Sequence, residues 1–159
     1  MSRILSLDLF DSEKFEKIDN PSDVQLGECI IYGALNDLDL TEINSDFITD
    51  SGNFGFIDVM LLDLQDPVSE ECESERNLLI DLLSKLSENN GRLSEKFGQI
   101  DPFFFGYLTV TETNDLVKAL TNLPEELDEG WTSEFRDILL LIGERAVQKK
   151  LGLIFQGSP

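Results

Sequence analysis

Hydrophobic and polar positions along the chain change period several times, and those changes divide it into elements. Residues 3–10 alternate in part and are rich in Ile and Leu, which predicts an opening strand; Asp11 or Ser12 then offers the N-cap of a short helix through Ile18. Asn20-Pro21 breaks that helix. From Ser22 onward Val24, Cys29, Ile31, Ala34, Leu35 and Leu38 approximate helical spacing and predict a second helix to about Asp37, weakened by Gly27 and Gly33. Residues 37–53 are polar and acidic, end in the turn cluster Ser51-Gly52-Asn53, and read mostly as loop. Residues 54–64 are a nearly continuous apolar run; period alone does not separate strand from helix there, and a buried strand is the expected form.

The second half is more regular. Asp66-Pro67 reads as an N-cap followed by proline at the first helical position, and Val68, Cys72, Leu79, Leu82, Leu83 and Leu86 continue at heptad-like spacing until Asn90-Gly91. The acids Glu70, Glu71 and Glu73 suit the positive end of that helix dipole. A connector over 92–102 leads to the aromatic run Phe103-Phe104-Phe105-Gly106-Tyr107-Leu108, read as a strand whose three successive phenylalanines cannot all face one side. Thr109 and Glu112 form a capping box that launches a helix ending before Pro124. After the acidic turn at 125–129, Trp131, Phe135, Ile138, Leu139, Ile142 and Ala146 trace the strongest helical stripe in the chain, and residues 151–155 close it as a strand. This order predicts an α/β or α+β fold: one compact domain over residues 1–159, with a small mixed sheet covered by about five helices.

Charge changes the picture more than composition does. Apolar residues make up 41% and charged residues 28%, an ordinary globular mix, yet 32 Asp and Glu stand against 12 Lys and Arg for a formal net of −20. The chain contains no histidine, which removes Ser-His-Asp and Cys-His nucleophile systems, an imidazole base and His-containing zinc sites. It also has no glycine-rich phosphate loop, and so many acids single out no carboxylate pair for hydrolysis. The expectation is therefore a protein that is not an enzyme and needs no cofactor. Phosphate backbones and anionic membranes are disfavoured as direct ligands, since both call for clustered Lys and Arg. Residues 1–8 meet Asp8 before a signal core can form, no apolar run reaches spanning length, and Cys29 and Cys72 sit on apolar stripes as reduced core thiols, so the expected location is cytoplasmic.

The acids are unevenly distributed. No Lys or Arg occurs between Lys17 and Arg76, a stretch of 58 residues with 15 acids, so ion pairs cannot form within it. Like-charge crowding costs stability, and a purely structural surface has no need of it. A folded chain of this mass exposes on the order of 8,000 Å², or roughly 400 Å² per net charge, about threefold more dilute than duplex DNA. Imitation of nucleic acid therefore requires the acids to gather on one face. The candidate contact residues are Asp37, Asp39, Glu42, Asp46 and Asp50, with Glu125, Glu126, Asp128 and Glu129 as a second group. These point to an acidic binding protein engaging a basic partner (a nuclease, toxin or nucleic-acid-binding protein) as an immunity protein or inhibitor. One alternative is a calcium-binding regulatory protein using the oxygens of residues 37–50, although their spacing does not match an EF-hand loop. The other is an acidic accessory protein.

The stretch Gly106-Tyr-Leu-Thr-Val-Thr-Glu-Thr-Asn-Asp-Leu-Val-Lys-Ala-Leu120, the Trp131 helix and Leu151-Gly-Leu-Ile-Phe155 together resemble the end of YfbM-like proteins, an uncharacterised α/β family. The likeness covers about a third of the chain and lies in the succession of elements. It implies a compact α/β domain and carries over no catalytic motif.

Overall fold

The computed structural model describes residues 3–31, 49–50, 56–87 and 104–158. Five strands form one sheet: β1 (Arg3–Phe10), β2 (Ile30–Ile31), β3 (Thr49–Asp50), β4 (Phe104–Leu108) and β5 (Gly152–Ser158). The order is β2-β1-β5-β4, with β3 sharing the edge of β1 that β2 also uses, and every pairing described is antiparallel. β1 and β5 pair from Ile4↔Ser158 to Phe10↔Gly152, so the first and last strands form the centre of the sheet.

Six α-helices are described: α1 (Ser12–Glu16), α2 (Asp23–Glu28), α3 (Phe56–Asp63), α4 (Glu70–Ser84), α5 (Val110–Thr121) and α6 (Gly130–Gln148), with a 3-10 turn at Glu125–Leu127. Together they make a small α+β domain. Alternation along the strands sends Leu7, Leu9, Leu108, Leu153 and Phe155 into a large core beneath α3 to α6. Phe10, Tyr107 and Ile154 face the other way, where Phe15 of α1 and Leu26 of α2 complete a smaller core. Phe10, Phe15 and Tyr107 meet there with ring centroids 5.3 Å apart in tilted and edge-on geometry, as the ring quadrupoles prefer.

Three expected elements differ. The run at 54–64 is helical from Phe56 to Asp63: Ile57, Met60 and Leu64 are buried at helical spacing, while Leu62 is exposed. Met60, Leu61 and Leu62 favour helix, and apolar residues at the less buried positions Val59, Leu61 and Leu62 hide the period in the sequence. The helix begun at Ser22 has its capping box with Gln25 but stops at Glu28, because Ile30 and Ile31 pair with Phe10 and Leu9. There, sheet pairing overrides helical spacing. The third helix starts at Glu70 with Ser69 as its N-cap, not at Asp66-Pro67, and ends at Ser84. The capping box at Thr109 and Glu112, the 131–146 stripe and the closing strand form where they are expected. Cys29 and Cys72 are both buried thiols, neither of them in a disulfide.

Candidate functional site

The end of α3, the link at 64–69, the 3-10 turn and the N-cap of α6 meet at one place, and each brings a carboxylate there. Asp63 closes α3, and its Oδ2 accepts the amide of Trp131. It thus satisfies a free donor at the start of α6, whose own N-cap Glu129 makes no side-chain cap bond. Gly130 permits this approach: its φ is +55°, and a Cβ there would lie 2.7 Å from Asp63 Oδ2.

Glu126, on the 3-10 turn, performs the same task for α4. Its carboxylate accepts the Ser69 amide at 2.9 Å and the Ser69 hydroxyl at 2.7 Å, across 57 residues of sequence. The Ser69 hydroxyl and amide, followed by the Cys72 thiol, hold the Glu126 carboxyl below its ordinary range, because each donates to the charged form. The same contact, ahead of burial, pushes the Cys72 thiol up. Asp128 is answered within the chain by Arg136, which also contacts Asp137 at 3.2 Å.

Between these groups lies a cleft of about 330 Å³. Asp63, Asp66, Glu126 and Glu129 line it, interleaved with Leu64, Pro67, Val68 and Leu127, and among the described residues the lining contains no Lys or Arg. Thr132 also lines it; the residue is 1% exposed, and its buried Oγ1 has no hydrogen-bond partner among the described residues. The helix ends at α4 and α6 supply roughly +0.5 of a charge each, about one against four carboxylates. Arg76 donates Nη1 to the Asp66 carbonyl at 3.1 Å and offsets about one more. A net negative field remains in the cleft. Among the described residues no group of three or more His, Cys, Asp and Glu could hold a metal ion, so the carboxylates offer charge spread over a mouth and not focused on a point.

The expected contact residues separate into two sets. Glu126 and Glu129 line the cleft, Glu125 is exposed on the turn beside them, and Asp128 faces Arg136. Asp37, Asp39, Glu42 and Asp46 lie outside the described residues, while Asp50 sits in β3 opposite Arg3 in register. The spacing of residues did not single out Asp63, Asp66 or Thr132. Asp63 lies in a run whose pattern predicts a strand and Asp66 in the pattern of a helix cap, whereas a helix over residues 56–63 places both carboxylates at one helix end. Thr132 gives no signal in sequence.

No family model matches the chain, and neither the curated proteins nor the solved structures contain a match to it.

Proposed function

We propose that this is a non-enzymatic acidic binding protein whose partner is a basic protein, bound through the cleft and the acids around it. The carrying observation is that Asp63, Asp66, Glu126 and Glu129, from separate segments, surround one concavity with no basic residue among the described residues that line it. Charge that only keeps a protein soluble has no reason to converge on a concavity. A negative field focused there raises the encounter rate with a positive partner and rejects anionic ones. The exposed acids Glu70, Glu71, Glu73 and Glu75 on α4, next to Ser69 and its bond to Glu126, extend the field along the surface. On this reading the protein masks the nucleic-acid-binding surface of a nuclease or toxin, as an inhibitor or immunity protein does, and works in the cytoplasm. No helix among the described residues is long and apolar enough to cross a membrane.

The test is capture from host lysate at about 50 mM salt with the native chain and with an Asp66→Asn, Glu129→Gln variant, eluted by a salt gradient. The expected result is one basic protein leaving sharply in near-stoichiometric amount and retained far less by the variant. A complex indifferent to salt up to about 0.5 M, or a smear of basic proteins held equally by both chains, would overturn the proposal.

A further inference from the structure

The cleft carries more detail than a general attraction for basic proteins. Its carboxylates do not converge as a cation site requires, yet they lie around an apolar wall of Leu64, Pro67, Val68 and Leu127. Planar guanidinium has five N–H donors spread over a fork, which suits dispersed acceptors better than a compact ammonium does. Its propyl stem is apolar and packs along such a wall while the charged head stays with the acids. Thr132 adds the independent observation: it is one of the lining residues, and its buried hydroxyl, with no partner among the described residues, is costly to keep there. In sequence Trp131 stands between two lining residues, Gly130 and Thr132; the residue is 46% exposed and its ring stacks on Phe135 with centroids 5.6 Å apart. An exposed indole is a common centre of binding energy at interfaces and stacks well on a guanidinium face.

We propose that the cleft formed by Asp63, Asp66, Glu126 and Glu129, floored by Thr132 and flanked by Trp131, receives one arginine side chain of the protein partner. The inference rests on the basic-partner reading above and specifies what that partner inserts. The volume of about 330 Å³ stands at the lower end for side-chain-sized ligand pockets. A turn of the Thr132 side chain brings Oγ1 from its buried position to the guanidinium, where it accepts, Glu129 and Asp66 receive the outward-facing N–H groups, and Glu126 stays fixed by Ser69. Lysine fits less well, because a point charge cannot reach separated acceptors at once.

Trp131 is the only tryptophan in the chain, so its fluorescence reports on this site alone. The probes are three capped peptides of identical frame with a central arginine, lysine or citrulline, titrated at low and matched ionic strength, with calorimetry as a second readout. The arginine peptide is expected to bind saturably with a dissociation constant on the order of 1 mM, the lysine peptide about tenfold more weakly and the citrulline peptide not measurably. Thr132→Val is the decisive variant. Removing an unpartnered buried hydroxyl leaves the thermal midpoint unchanged or raised, so a merely structural threonine predicts unaltered peptide binding, whereas the proposed site predicts a loss of about fivefold or more. Glu129→Gln should weaken binding similarly. Saturable arginine binding that neither variant changes, or equal binding of the arginine peptide and either comparison peptide, overturns the arginine pocket and leaves the acidic binding reading standing. No saturable binding of either cationic peptide at low salt overturns both.

Discussion

At Gly106 the chain has no room for a side chain: a Cβ would lie 2.1 Å from the Lys85 carbonyl oxygen and 2.9 Å from the Leu86 Cα. The obstacle is backbone at the end of α4, and the strand has its bulge at this point. Gly106→Ala therefore forces β4 and α4 apart and is expected to cost at least about 2 kcal/mol, read as a lower urea midpoint at unchanged m-value. Glu126 shows a different residue-level dependence. Its folded carboxyl titrates below its ordinary value of 4.5, chiefly through the Ser69 hydroxyl. The folded state thus binds the proton less readily than the unfolded one, so the contribution is present above about pH 4.5 and is lost as pH falls through the lower folded value. Glu126→Gln should flatten that part of the acid limb of thermal stability while leaving the neutral-to-alkaline limb unchanged. An acid limb identical to that of the native chain would mean that the Ser69 bonds do not form in solution.

Helix ends show which parts of the fold a sequence can announce. The Thr109 capping box was legible because both partners lie within four residues: Thr109 Oγ1 accepts the Glu112 amide at 3.2 Å and Glu112 accepts the Thr109 amide at 2.9 Å. Glu112 also binds Lys85 at 2.8 Å, which ties the start of α5 to the end of α4. The cap partner of α4, Glu126, lies 57 residues away and leaves no local signal, and the strand expected at 54–64 is a helix whose period is hidden because apolar residues also fill its less buried positions, Leu62 among them. Local chemistry was visible, and so were half of the cleft's acids; chemistry supplied from a distant segment was not. The end of α6 adds a case that sequence statistics would miss. Lys150 has φ +58°, with its amide bonded to the Val147 carbonyl at 3.1 Å and the Leu151 amide to the Ala146 carbonyl at 2.8 Å. This is a Schellman ending with lysine where glycine is the usual occupant. Lys150→Gly should relieve the left-handed strain and stabilise the protein by about 0.5–1 kcal/mol, a gain reduced by the lost helix-end charge. A lower unfolding midpoint would show that the lysine side chain holds the turn in place.

Over the whole molecule, 8617 Å² of surface carries a net charge of −20, which is about 430 Å² per charge and a mean separation of about 20 Å. That spacing lies between the screening lengths of about 30 Å at 0.01 M salt and about 10 Å at 0.1 M. Below this window each net charge feels its neighbours; above it the surface behaves as isolated charges. The folded state confines those charges more than the unfolded chain does, so salt should raise the thermal midpoint, with most of the rise between about 0.01 and 0.1 M and little beyond. Sodium, magnesium and calcium chlorides compared at equal ionic strength separate this general effect from a specific one. Screening alone predicts modest differences between the two divalent ions. A saturable rise unique to calcium, abolished by Asp46→Asn or Asp50→Asn, would instead assign the acids of residues 37–50 to a cation site. The same screening window governs association: a partner steered by the long-range field loses on-rate over the salt range in which the protein gains stability. A dissociation rate that stays nearly constant over that range would show that contacts in the cleft, once made, are sheltered from the solvent ions that slow the approach.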